Sequence, residues 1–144
     1  MFLFSKDGNL FPGIHLVTWQ EIQDEFNFSE RRKHLITGLY RALLEFRKAG
    51  CQKIYIDGSF VTKKNEPNDY DVCWDITGVN LAVLDTVLYD IKSGTALQKI
   101  KYYGEFYPAN IVEGISGLTF LNFFQMDRSG KSKGILQLDL KGVM

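Results

Sequence analysis

Cysteine and histidine are scarce in this chain, with two of each among 144 residues. Cys51 and Cys73 stand apart without metal-ligand spacing, and His15 and His34 have no partners at such spacing, so no zinc-type site is spelled out. The cysteines are expected reduced, Cys73 as a small buried hydrophobe, and the histidines structural or exposed. Net charge is lacking too: 17 basic residues balance 17 acidic ones, which disfavours a general nucleic-acid coat. No apolar stretch approaches the length of a membrane span. Residues 1–7 offer no basic region followed by an apolar run, so the sequence carries no secretion signal there and the cytoplasm is the default address. Repeats, linkers and low-complexity tracts are also missing, which leaves a single domain over residues 1–144.

What is present is an ordinary globular composition, 45% hydrophobic and 24% charged. Thr18 and Glu21 fit a capping box for a short helix over about residues 19–26. Ser29 can cap a longer helix whose Leu35, Leu39, Leu43 and Phe46 recur at helical spacing, with Gly50 placed to end it. Strands are expected at 52–57 and 69–75, a helix at 81–91, an aromatic strand at 100–107 stopped by Pro108, and a closing strand at 134–140. Residues 116–126 read as a short helix capped by Ser116, their aromatic run serving as core. Helices alternating with strands give an α/β (α+β) class with helices packed on a small mixed sheet. The basic clusters Arg31-Arg32-Lys33-His34 and Lys131 with Lys133 read as solvated surface.

The chemistry concentrates between Gly58 and Val72. Gly58-Ser59 follows the apolar run Ile54-Tyr55-Ile56; the glycine lets backbone approach a phosphate and the serine adds a hydroxyl. Asp69 and Asp71 alternate on the next short apolar segment, so a strand there points both to one face, about 6–7 Å apart. Two such carboxylates can share a Mg²⁺ or bracket a metal pair. Lys63 and Lys64 lie inside the same segment and are candidate phosphate contacts. For a third carboxylate, Asp75 shares the strand face but lies too far along it, and Asp57 is a further possibility. Glu105, flanked by Gly104 and Phe106, is the better placed.

This pattern resembles the signature of the nucleotidyltransferase superfamily, the DNA polymerase beta-like fold, and most of all its minimal single-domain members. The compatible order of elements extends the likeness to roughly residues 29–107. The resemblance implies that Gly58 and Ser59 hold the phosphates of a nucleoside triphosphate, ATP by first choice. It implies that Asp69 and Asp71 coordinate two Mg²⁺ ions, with Glu105 as third ligand helping to deprotonate an acceptor hydroxyl. The expected activity is transfer of a nucleoside monophosphate, AMP foremost, to a hydroxyl on a protein or RNA. The chain lacks a recognisable acceptor-binding domain, so the resemblance further implies a partner protein or RNA that brings the acceptor, in a toxin–antitoxin or defence setting. The alternative is a non-catalytic module of the same fold that binds a nucleotide or a partner protein, as an antitoxin would.

Overall fold

The computed structural model of the chain describes residues 4–143; residues 1–3, part of the stretch read for a secretion signal, lie outside it. Among these described residues five strands make one mixed sheet: β1 (Gly13–Val17), β2 (Lys53–Asp57), β3 (Tyr70–Trp74), β4 (Gly104–Pro108) and β5 (Gly134–Asp139). Their order is β1-β5-β2-β3-β4. β1 runs parallel to β5 and β3 parallel to β4, while β2 is antiparallel to both of its neighbours. Among the described residues four helices accompany the sheet: α1 (Trp19–Phe26), α2 (Glu30–Lys48), α3 (Ala96–Tyr102) and α4 (Phe120–Phe123). The class is α/β with a small mixed sheet, as the alternation of elements implies.

Strand alternation sorts the sheet into two faces. Ile54, Ile56, Val72, Trp74, Phe106, Leu136 and Leu138 point one way and pack with Phe26 of α1 and Leu35, Leu39, Leu43 and Phe46 of α2 in the main core. Tyr55, Cys73 and Ile135 point the other way, under Phe120, Leu121 and Phe124. That second face is only part-covered, and the rest of it carries the charged residues considered below. Cys51 and Cys73 are buried free thiols. Burial pushes the Cys51 thiol up to about 12.

The helix starts follow their caps. Thr18 Oγ1 accepts from the Glu21 amide and the Glu21 carboxylate accepts from the Thr18 amide, closing the capping box on α1. Ser29 Oγ accepts from the Arg32 amide at the head of α2. Gly50, at φ 93°, turns the chain out of α2 towards β2.

Elsewhere the fold departs from the sequence reading. β1 is a strand where only a turn and a helix cap were expected; it borrows its pairing from β5, a partner far off in sequence. Residues 81–91 are turns with one 3-10 segment, Thr86–Leu88, and not a helix. Asn80, Asp85 and Asp90 each accept from the amide two residues on, and these local bonds compete with a helical ladder. Ile100, Lys101 and Tyr102 belong to α3 and not to the aromatic strand, which begins only at Gly104. Tyr103, in left-handed conformation at φ 72°, makes the break. Thr119 caps α4 in place of Ser116.

The cluster Arg31-Arg32-Lys33-His34 also needs correction. Arg32 is fully buried. It lies three residues before Leu35 and so on the apolar stripe, and its guanidinium donates to the carbonyls of Phe26, Ser59, Phe60, Thr62 and Lys64. Arg31 donates to the carbonyls of Pro67 and Asn68, and Ser29 Oγ to that of Asn65. The start of α2 therefore holds the whole loop from Ser59 to Asn68.

Candidate metal and phosphate site

Sheet register builds the site. Asp57 of β2 is directly opposite Asp71 of β3, and Asp71 is directly opposite Glu105 of β4. Alternation sends all three to the face opposite α2, in a row across adjacent strands about 4.8 Å apart. Asp69 enters from the residue before β3. One oxygen each from Asp69, Asp71 and Glu105 lie within 4.8 Å of one another. The structure thus brings together the three carboxylates that the sequence singles out. Asp75 is elsewhere, accepting from the Thr77 amide.

Each carboxylate has a distinct environment. Burial pushes Asp71 up to about 7, reinforced by the charges of Asp57, Glu105 and Asp69. Burial also raises Asp69 and Asp57, against the pull of Lys99 and Lys133 respectively. Glu105 goes the other way. Burial pushes it up, but hydroxyls of Thr95 and Tyr107, each 2.7 Å from Oε2, and the ammonium of Lys99 hold it below the usual range. Lys99 Nζ lies 3.4 Å from Glu105 Oε1 and 3.6 Å from Asp69 Oδ2. Lys133 Nζ lies 3.2 Å from Asp57 Oδ1. Asp57 is only 3% exposed, and its Oδ2 has no hydrogen-bond partner.

Residues 2–139 match DUF6932, a family of unknown function. The chain belongs to this family. No curated protein and no solved structure matches it. In this DUF6932 chain the four carboxylates line one cleft of about 980 Å³ with Gly58, Ser59, Lys63 and Lys64. Two features favour glycine at position 58. Its φ of 88° is disfavoured for any side chain, and a Cβ there would come within 2.8 Å of Asp71 Oδ2. Backbone and carboxylate are in contact, so the loop and the acidic row form one surface. Lys63 and Lys64 are exposed on that loop; the Lys63 amide donates to Gly8 and its ammonium lies 5.2 Å from the Phe4 ring centroid.

A metal fits what is there. Hard carboxylate oxygens without nitrogen or sulfur suit Mg²⁺, Mn²⁺ or Ca²⁺. Burial first, and then the neighbouring carboxylates, raise Asp71, and Oδ2 of the buried Asp57 has no hydrogen-bond partner; a cation bound among these oxygens would relieve both.

Several site residues escaped sequence reasoning. Lys99, Thr95 and Tyr107 surround Glu105, yet no motif marks them: Thr95 and Lys99 fall where the sequence reads as a loop, and Tyr107, on the expected strand, reads as one more aromatic. Lys133 passed for surface, although it immediately precedes β5. Arg32 alone left a signal, an arginine at the spacing of the apolar stripe. His15 bonds the Phe11 carbonyl through Nε2 and His34 stacks on Tyr103; neither enters the cleft.

Proposed function

We propose that the protein is a Mg²⁺-dependent nucleotidyltransferase that moves a nucleoside monophosphate, AMP foremost, from a nucleoside triphosphate to a hydroxyl on a protein or RNA acceptor. One observation carries the reading: Asp69, Asp71 and Glu105 converge against the Gly58-Ser59 loop in a single cleft. Its volume of about 980 Å³ suits a nucleotide. Bound to those three carboxylates, Mg²⁺ would neutralise phosphate charge and align the acceptor oxygen with the α-phosphorus.

The chain's own residues do the positioning. Gly58 lets backbone amides come close to phosphate oxygens, and Arg32 freezes the carbonyls behind that loop so that the amides keep their direction. Lys63, Lys64, Arg128 and Lys133 line the cleft and draw in a polyanion. Thr95 and Tyr107 keep Glu105 ionised and fixed in orientation, which a ligand requires at neutral pH. A partner supplies the acceptor, in a cytoplasmic toxin–antitoxin or defence pair; this context follows from the resemblance of the motif.

The second reading, a non-catalytic module binding a nucleotide or partner protein, draws on the Lys99 and Lys133 ion pairs, which already supply counter-charge to the row. Incubation with α-labelled triphosphates and Mg²⁺, with and without candidate acceptors, separates the two. Label transfer that vanishes in D69N and D71N supports the enzyme. Tight partner binding with no transfer, unchanged in those variants, defeats it.

A further inference from the structure

We propose that Lys99 takes the place of a second divalent ion, so that the Asp69–Asp71–Glu105 cluster alone, without nucleotide, binds one ion per chain. This rests on reading those carboxylates as metal ligands, whereas the resemblance of the motif implies two ions. Independent support comes from Asp57, which is 3% exposed and directly opposite Asp71 across the strand pair: Lys133 is at its Oδ1, 3.2 Å away, while its Oδ2 has no hydrogen-bond partner.

Lys99 is built into the site. Thr95 and Lys99 are four residues apart, hence on one side of the helical turn. They take opposite oxygens of one carboxylate: Thr95 Oγ1 donates to Glu105 Oε2, and Lys99 Nζ faces Oε1. Thr95 immediately precedes α3, which carries Lys99 and is clamped to β4 by the intervening Gln98. Its amide nitrogen donates to the Phe106 carbonyl and its oxygen accepts from the Phe106 amide at 2.8 Å. At the other end, Gly38 of α2 is so close that a Cβ there would collide with the Tyr102 carbonyl oxygen. The docking of α3 therefore aims the Lys99 side chain at Asp69 and Glu105.

The charge count agrees. Three carboxylates balance one dication and one ammonium, whereas two dications beside Lys99 would leave the cluster strongly positive. Glu105 Oε2 already accepts from Thr95 and Tyr107. Its other oxygen, Oε1, has two acceptor sites: Lys99 takes one, which leaves one for a single ion, so a second ion on Glu105 has to displace the ammonium.

The test counts Mn²⁺ bound at saturation by electron paramagnetic resonance of the free ion, with calorimetry as a second readout, on nucleotide-free protein. The native chain is expected to bind one ion, K99R one, and K99Q two. The Lys99 side chain is about half exposed, so the variants should fold, and circular dichroism melting verifies it. Two ions on the native chain, or one on both native and K99Q, overturn the role of Lys99 while leaving the metal reading intact. No ion on any of the three overturns the metal reading itself, and the inference with it.

Discussion

Replacing Asp71 by asparagine should make the protein more stable while destroying its site. Burial, then the charges of Asp57, Glu105 and Asp69, push Asp71 up to about 7, against roughly 3.9 for an ordinary aspartate. At about 1.36 kcal/mol per pH unit, keeping this carboxylate charged in the fold at pH 8 costs on the order of 4 kcal/mol. Part of that belongs jointly to the coupled row, so D71N is expected to gain about 2–4 kcal/mol. Unfolding entropy of roughly 2.1 cal/mol/K per residue over 144 residues turns 1 kcal/mol into about 3 °C, hence a rise in Tm on the order of 10 °C. The sign with pH is definite. A carboxyl whose pKa is raised by folding contributes stability that is fully present below about pH 4 and is lost as pH rises through about 7. The native chain should therefore weaken across that window relative to D71N, and the two should converge near pH 4. Millimolar Mg²⁺ or Mn²⁺ should restore the native chain selectively, since an ion bound only to the folded state stabilises it. Calorimetry from pH 4 to 8, with and without metal, reads all of this. A D71N protein that melts lower than native at pH 8 refutes the electrostatic account of the row.

Three other substitutions test the scaffold. R32M should destabilise by about 3–5 kcal/mol, because five carbonyls, those of Phe26 and Phe60 fully buried, lose a charged donor; denaturant titration measures it, and hydrogen exchange should quicken across residues 59–65. G58A should cost about 1–3 kcal/mol through its positive φ and should also weaken Mn²⁺ binding by calorimetry, since the new Cβ pushes on Asp71. T18A should cost about 1 kcal/mol in thermal unfolding by opening the capping box.

The parts of this fold that were legible in sequence are those decided locally. The capping box at Thr18, the Ser29 cap, the stripe of α2 and the strand pair around Gly58 and Asp71 all depend on neighbours a few residues away. Glu105 was found because its strand is flanked by Gly104 and aromatics. What escaped reading was set by distance. β1 exists because β5 pairs with it, and Lys99 matters because Gln98 and Gly38 dock α3 in one place. Residues 81–91 misled because their apolar pattern suits a helix while Asn80, Asp85 and Asp90 tie the backbone into turns. Arg32 misled through charge, though its spacing was correct.

The strand order has a consequence for how the protein assembles. β2 ends at Asp57, but its neighbour β5 begins only at Gly134, and β5 is also what holds β1. Until that late segment docks, β1 has no strand to pair with and one side of β2 is an open edge, the arrangement most prone to pairing with the wrong chain. Lys133, the counter-charge of Asp57, arrives with the same segment. Closure of the sheet and neutralisation of its buried acid are thus one event, dominated by contacts remote in sequence, and folding should be slow for a chain of this size. A chain cut before residue 134 would carry the whole Gly58–Val72 signature and still lack a finished cleft.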